Sequence, residues 1–340
     1  IFGTPFGWIM RLIYQLVNNY GVAIVLFTII TKILLFPISY KQQKNTLRMQ
    51  LIQPKLKKLQ AKYKDKPQEL QQAQMQLYQE EHVNPMSSCL PMFLQFFLLF
   101  GVLDVVYKPL THILHYSKSV ISKVVEISTG ILGDSVAKQY TGLRQELGVL
   151  KAFQDNPSAF SNVDTFDTSK VSDFMEHFTV FGVNLGETPT WHPEVWNTSA
   201  VILFCIPLLS GILQLIMTIY MQIMQKKRGT APEQNMGCMN VMLYVMPLFS
   251  VWFAFQVSAG VGFYWACSSF FSLLQTIGLN LYFTPERGAK IIEKENKKME
   301  ARYAAGKQSF TERMMNQNAG AARVQETEKT KNMSNRELSS

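Results

Sequence analysis

Residues 21–40 read GVAIVLFTIITKILLFPISY and contain one charged side chain, that of Lys32. At about 1.5 Å of rise per residue, an apolar helix of this length crosses the hydrocarbon core of a bilayer. A lysine near the middle of such a helix costs roughly 2.5–3.5 kcal/mol on insertion scales, so it usually faces protein or water instead of lipid. The stretch predicts a membrane-spanning helix whose one cation needs a polar environment.

The composition of the whole chain is typical of a membrane protein. Of the 340 residues, 47% are hydrophobic and only 17% are charged, which fits a polytopic membrane protein with polar appendages better than a soluble globule. The net charge of +9 is spread over segments that flank apolar runs. We therefore attribute it to topology and lipid headgroups, and we expect no nucleic-acid substrate. Because the chain begins at Ile1, we also expect that an N-terminal segment has been removed.

Apolar runs predict an all-α fold with five transmembrane helices. Residues 1–20 place apolar side chains at helical spacing and predict an amphipathic helix lying at the membrane interface. The five predicted spans are residues 21–38, 89–107, 197–222, 239–257 and 261–283.

The segments between the spans are polar. Residues 39–88 predict a cytosolic helical hairpin with its turn before Pro67, a kink at Pro54, and too narrow an apolar stripe for a core of its own. Residues 108–196 predict a long extracytoplasmic loop with helical pieces around 117–130 and 134–153. Residues 223–238 predict a short cytosolic loop, and residues 284–340 predict a basic tail that begins as a short helix and continues as a disordered segment.

The distribution of charge predicts the orientation. The hairpin, the 223–238 loop and the tail together hold 24 basic and 13 acidic residues, whereas the 108–196 loop holds 7 basic and 10 acidic residues. Since Lys and Arg favour the cytosolic side, the N-terminus is expected outside a bacterial plasma membrane and the C-terminus in the cytosol.

Two interpretations of Lys32 remain open at the level of the sequence. In the first, the lysine faces a hydrated cavity that opens to the cytosol. In the second, its stem lies in lipid and its ammonium reaches the inner headgroups. Asp104 is the one acid in the predicted spans, but its depth differs from that of Lys32 by roughly 9 Å, so we do not expect an ion pair between them. Polar residues that could line a cavity are Thr28, Gln95, Gln214, Gln256 and Gln275.

Methionines recur at helical spacing near the cytosolic ends of the third and fourth spans. Methionine adapts its shape and suits surfaces that bind varied apolar partners, although ordinary packing between neighbouring helices would give the same pattern. The candidate apolar surface comprises Met217, Met221, Met242 and Met246.

The sequence contains no pattern that indicates catalysis. There is no phosphate-binding loop, and the five histidines do not combine with acids or cysteines at metal-ligand spacing. We therefore expect neither an enzyme nor a metal or cofactor site.

Several motifs resemble the YidC/Oxa/Alb family of membrane protein insertases. They are TKILLFP at residues 31–37, the basic hairpin containing Gln53–Lys55, VNPMSSCLPMFLQ at residues 83–95, and GVGFYW at residues 260–265 followed by Gln275. Residues 181–189 also resemble the segment that precedes the third span in such proteins. The similarity covers roughly residues 1–107 and 181–283 in the same order and spacing.

The resemblance implies five spans around a hydrophilic groove that opens to the cytosol and to lipid. One cation on the first span would contact the incoming polypeptide, and Lys32 occupies that position where family members commonly carry arginine. Thr28 and Gln95 match groove positions. Tryptophan is often found where this chain has Gln256, and Trp252 lies one turn earlier. The expected partners are nascent membrane proteins, the ribosome through the hairpin and tail, anionic lipids, and the Sec translocon.

Other functions are compatible with parts of the pattern. A small-solute transporter could use Lys32 as a charge relay, but inverted repeats and broken helices are not evident. An assembly scaffold would not need a buried cation. The hairpin and tail could also be a solvated positive-inside anchor with no recruiting role.

Overall fold

The computed structural model describes residues 3–64, 66–81, 83, 90–228 and 237–304. In these residues the chain is almost entirely helical, which confirms the predicted all-α class. It divides into two units, residues 1–41 with 89–280 and residues 42–88 with 281–340. The α-helices are α1 (Gly3–Val17), α2 (Tyr20–Lys62), α3 (Pro67–Glu80), α4 (Leu90–Tyr107), α5 (Pro109–His112), α6 (Lys118–Ala137), α7 (Gln145–Asp155), α8 (Thr168–His177), α9 (Thr198–Lys227), α10 (Gly237–Ala254), α11 (Ala259–Tyr282) and α12 (Pro285–Ala304). Short 3-10 turns cover Lys138–Tyr140, Gly142–Arg144 and Pro157–Phe160, and one antiparallel hairpin pairs β1 (Thr179–Val180) with β2 (Val183–Asn184).

Helix α2 is a single helix of 43 residues. The side chain of Asn19 caps its start, because Oδ1 accepts a hydrogen bond from the backbone N–H of Val22 at 3.0 Å. The helix continues through Pro37, near the predicted end of the first span, and through Pro54, where the predicted kink stays a prediction. Each proline removes only one backbone donor, and the rest of the hydrogen-bond ladder is long enough to keep the helix intact.

Two of the described helices, α2 and α9, are both long and apolar enough to cross a membrane. A shorter apolar helical stretch covers Phe93–Tyr107 in α4. The five stretches predicted as spans coincide with parts of α2, α4, α9, α10 and α11, so each contains a helix. Five crossings remain a prediction.

The first unit has one contiguous hydrophobic core. The start of α2 contributes Ile24 and Phe27, the end of α4 contributes Val106, and the start of α11 contributes Val261 and Tyr264. The same core includes side chains from the 108–196 segment, so this segment is folded against the helices. Its buried members include Leu147, Leu150, Phe153, Phe160, Phe174 and Phe178.

Helix α8 and the β-hairpin lie where the sequence predicts only loop. The helix is short, and its N-terminus is capped by Asp167, whose Oδ1 accepts a hydrogen bond from the N–H of Lys170 at 3.1 Å. Only Val171 and Phe174 are buried on its inner face. Two apolar residues are too few to give a recognisable helical period in the sequence.

Helix α1 packs against α4. The ring of Phe6 meets Phe27 and Phe97 edge-on, with centroids 5.9 and 6.0 Å away. Gly7 lies against the imidazole of His112, where any Cβ atom would collide with the ring. Trp8 is exposed on the opposite face. The predicted interfacial location of this helix remains a prediction.

Burial in α2 changes at Lys32. Thr28 is fully buried, whereas Ile33 and Leu34 are 66% and 63% exposed. The first turns of α4 show the same feature, since Phe93 is 65% exposed while Val102 is buried. Large exposed apolar side chains at this density indicate contact with lipid or with another polypeptide. The core of the unit therefore lies at one end of these helices, together with the 108–196 segment.

The second unit contains a small core, so the prediction that the hairpin lacks one is wrong. Ile52 and Leu56 of α2 pack with Leu77 of α3 and with Val83. The two arms supply enough apolar surface together, although each stripe is narrow by itself. Helix α12 is tied to α2 by an ion pair of Lys44 with Glu295 and by a second from Arg48 to Glu295 at 3.1 Å. The rest of the predicted disordered tail lies outside the described residues.

Candidate functional site

Lys32 is half-buried in α2 and turns toward α11. Its Nζ donates a hydrogen bond to Oγ of Ser272 at 2.6 Å. Lysine has a long flexible stem, so without such a contact its ammonium would be free to extend along the helix toward headgroups. This contact directs the ammonium to another helix instead of toward the headgroups, and the hydrated cavity open to the cytosol stays a prediction.

The described residues provide no carboxylate for Lys32. Asp104 instead accepts a hydrogen bond from Lys108 at 2.5 Å and lies 3.1 Å from Nε2 of His112. The expectation that Asp104 does not pair with Lys32 is therefore confirmed. The candidate site carries a positive charge whose described polar contact is a neutral hydroxyl.

Thr28 lies one helical turn before Lys32 on α2. It has no exposed surface, and its hydroxyl donates to the carbonyl of Ile24 at 2.7 Å. The hydroxyl of Thr31 likewise donates within α2, to the carbonyl of Phe27 at 2.9 Å. Both hydroxyl protons are used within α2, so these two buried threonines do not offer a donor to the site.

Helix α11 supplies two polar side chains on one face, Ser272 and Gln275, which are three residues apart. The Nε2 atom of Gln275 is buried and has no hydrogen-bond partner among the described residues. A buried amide donor without an acceptor costs about 1–3 kcal/mol, so this position suits a ligand or water that supplies an oxygen. Ser272 was not among the sequence-predicted residues, although its position one turn before Gln275 could have indicated it.

The remaining predicted glutamines are distributed over other helices. Gln95 is half-buried on α4. The Oε1 atom of Gln214 on α9 accepts a hydrogen bond from the hydroxyl of Ser250 on α10 at 2.8 Å, which ties these two helices together.

Gln256 does not lie near Lys32 in the structure. It is exposed in the turn between α10 and α11, and its backbone carbonyl accepts a hydrogen bond from the guanidinium of Arg144. The start of α11 at Ala259 is 13 residues from Ser272, which corresponds to roughly 20 Å along the helix axis. The structure therefore places Gln256 beside the 108–196 segment.

Two of the predicted methionines can be located in detail. Met217 and Met221 are half-buried on α9, beside a stripe of exposed isoleucines that includes Ile216 and Ile219. Met242 and Met246 belong to α10, but their side chains lie outside the described part of the structure.

The folded 108–196 segment holds one buried and one half-buried ionisable group, Glu146 and His112. Burial raises the pKa of Glu146, although hydrogen bonds from the N–H of Thr111 at 3.0 Å and from its hydroxyl oppose this effect. Burial also lowers the pKa of His112, with the nearby Asp104 carboxylate acting in the opposite direction. Among the described residues no cluster of His, Cys, Asp and Glu could hold a metal ion. The contact of His112 with Asp104 links α5 to α4, and the hydrogen bonds of Thr111 to Glu146 link α5 to α7.

A family model described as "60Kd inner membrane protein" matches residues 12–290 of the chain. Curated relatives share shorter segments, and each of the following is named "Membrane protein insertase YidC". The relative from Granulibacter bethesdensis is 42% identical over 103 residues, which is 30% of this chain and 18% of the relative. The relative from Caulobacter vibrioides is 43% identical over 107 residues, or 31% and 17% of the two chains. The relative from Francisella tularensis subsp. novicida is 46% identical over 88 residues, or 26% and 16%. The aligned part of this chain thus spans less than a fifth of the length of these relatives.

Proposed function

Because the chain belongs to the 60Kd inner membrane protein family, we propose that it is an insertase and folding chaperone for integral membrane proteins. The observation that carries this proposal is the half-buried ammonium of Lys32, which has a hydroxyl as its neighbour and no described carboxylate. A cation in a bilayer without an internal counter-ion suits a transient anionic partner.

The proposed mechanism is physical and involves no covalent step. Polar residues that flank a substrate's apolar segment would cost several kcal/mol to expose to hydrocarbon. A wet groove beside Lys32 lowers this barrier, and the lysine attracts acidic flanks. The side-chain amide of Gln275 offers a second hydrogen-bond donor to the substrate. Gln95 is proposed to line another wall of the groove. The apolar segment then moves into lipid past Met217 and Met221, and its transfer out of water drives the step.

The distribution of burial supports a groove that is open on one side. The core joins α2, α4 and α11 at the end where the 108–196 segment packs, and the opposite ends of α2 and α4 expose large apolar side chains. We propose that the packed end is extracytoplasmic and that the chain crosses a bacterial plasma membrane five times. An impermeant thiol reagent should then label a cysteine at Asp155 from outside and one at Ser309 from inside. Labelling of Ser309 from outside would overturn this topology.

The second unit is proposed to recruit partners. Its α2 extension and α12 are rich in Lys and Arg, which suits ribosomal RNA at the exit site or anionic headgroups. Cooperation with the Sec translocon is a further proposal that rests on the family.

Site-specific photocrosslinking to a stalled nascent membrane protein tests the function. A photoreactive residue at Gln95, Gln275 or Met217 should crosslink to the substrate, whereas the same residue at Gln256 should not. Gln256 is the matched control because it is a glutamine just before α11, whose start at Ala259 lies about 20 Å along the helix axis from Ser272. No crosslink from any of the first three positions would contradict an insertase and would favour a solute transporter.

A further inference from the structure

We propose that Ser272 is a positioning residue that holds the ammonium of Lys32 at the depth where it meets acidic substrate flanks. This inference rests on the proposed function. It adds a specific role for a residue on α11, which is 240 residues from Lys32 in the sequence.

The geometry of the contact supports positioning. The distance of 2.6 Å between Nζ and Oγ is just below the range of about 2.7–2.9 Å that is typical of charged N–H donors, so the two atoms are in direct contact. The surroundings of Lys32 on its own helix offer little restraint, because Ile33 and Leu34 are mostly exposed. A lysine stem with four rotatable bonds would otherwise sample positions along the helix, including those that reach the headgroups. The hydrogen bond to Ser272 restrains the ammonium to one of these positions.

The chemistry of the contact leaves the ammonium available. Lys32 has three N–H donors and uses one of them on Ser272, so two remain for a carboxylate. The hydroxyl of Ser272 accepts from Lys32 and can itself donate to the same carboxylate. Binding of an acidic flank therefore does not require the contact between Lys32 and Ser272 to break.

Removing the hydroxyl should act through Lys32. With alanine at position 272, no described residue accepts a hydrogen bond from Nζ, and the favoured position of the ammonium moves toward the headgroups. Capture of acidic flanks should become weaker, whereas substrates with neutral flanks do not depend on this charge. A hydroxyl that merely tied α2 to α11 would instead affect both classes of substrate equally.

The experiment measures insertion by the full chain in reconstituted vesicles, scored by protease protection, for paired substrates that differ only in flank charge. The variants are Ser272→Ala, Ser272→Thr, Lys32→Ala and the double variant Lys32→Ala/Ser272→Ala. Ser210→Ala is the matched control, since Ser210 is a buried serine in α9 whose hydroxyl bonds to its own helix at Pro207.

Ser272→Ala is expected to lower insertion of the acidic-flank substrate about threefold relative to the neutral one, the size expected for one net hydrogen bond. Ser272→Thr should restore the wild-type ratio, and Ser272→Ala should add nothing in the Lys32→Ala background. Unchanged insertion of the neutral-flank substrate shows that the variant is folded.

Three results would overturn the positioning role. These are an equal loss of both substrates in Ser272→Ala, a further loss in the double variant, and failure of threonine to restore the ratio. If Lys32→Ala lowers insertion of the acidic-flank substrate and Ser272→Ala does not, the positioning role of Ser272 is rejected and the proposed role of Lys32 stands. If Lys32→Ala inserts both substrates as well as wild type does, the electrostatic part of the proposed function is rejected instead.

Discussion

The guanidinium of Arg144 lies over the ring of Tyr107, with 5.4 Å between its central carbon and the ring centroid. The same guanidinium donates to the carbonyl of Gln256, and the hydroxyl of Tyr107 accepts a hydrogen bond from the N–H of Ser258 at 3.4 Å. The first N–H groups of α11 donate to the segment after β2, from Ala259 to Glu187 at 2.6 Å and from Gly260 to Leu185 at 2.8 Å. The 108–196 segment thereby caps the N-terminus of α11.

Arg144→Ala should loosen this cap. We expect a loss of about 1–3 kcal/mol in stability, since a cation–π contact and a hydrogen bond to a charged donor are both lost. Thermal unfolding in detergent measures the stability, and hydrogen exchange over residues 255–262 locates the change. Lys151→Ala is the control, because Lys151 makes an exposed i,i+4 pair with Asp155 within α7. Equal exchange in both variants would contradict the capping role.

Gly7→Ala should disturb the packing of α1 on α5. The new Cβ atom would collide with the ring of His112, which is held by Asp104 and cannot move freely. We expect a destabilisation of about 1–3 kcal/mol, as for overpacking of a close contact. Gly130→Ala is the matched control, because a Cβ atom added at this position in α6 would meet no described neighbour within 4 Å. If both variants unfold at the same temperature, α1 is not docked as described.

Glu146 should give the folded chain a characteristic pH dependence. Its pKa is raised in the folded state by burial, so the folded state binds the proton more tightly than the unfolded state. The stabilising contribution is present below the unfolded pKa and is lost as pH rises through the folded pKa. Glu146→Gln removes this titration and should flatten the fall in unfolding temperature above pH 4.5. An identical pH slope in both proteins would contradict the assignment.

Glu295→Ala should release α12 from the α2 extension in the second unit. Lys44 and Arg48 both pair with this carboxylate, and the three groups are partly buried. We expect a loss of about 0.5–1 kcal/mol, the upper range for partly exposed pairs, and faster hydrogen exchange in α12. Glu293→Ala is the control, since Glu293 pairs with Lys297 within α12 itself. Protection that survives Glu295→Ala would show that apolar contacts alone hold α12.

The sequence predicted the local features of this chain well. Apolar runs identified the helical stretches, and the motifs around Lys32 identified the family, which the family model confirms. The orientation inferred from the placement of charge stays a prediction. The separation of Asp104 from Lys32 followed from counting residues along each helix, and the structure agrees.

Features that depend on distant contacts were missed. The sequence predicted separate helices for the first span and the first hairpin arm, whereas α2 runs through Pro37 and Pro54 as one helix. The fold of the 108–196 segment arises from apolar residues that are scattered in sequence and meet only in the common core. The position of Gln256 is set by Arg144, 112 residues away, and Ser272 meets Lys32 across 240 residues. No periodicity within one helix carries that information.

Charge reversal at Lys32 tests the central proposal most directly. The measurement is insertion into reconstituted vesicles by wild type, Lys32→Arg and Lys32→Glu, for substrates with acidic, neutral or basic flanks. Arginine should preserve the wild-type preference because it remains charged. Glutamate should lower insertion of the acidic-flank substrate by about tenfold or more, leave the neutral one nearly unchanged and favour the basic one, because attraction becomes repulsion. Insertion of all three substrates at wild-type levels by Lys32→Glu would contradict an electrostatic role for Lys32.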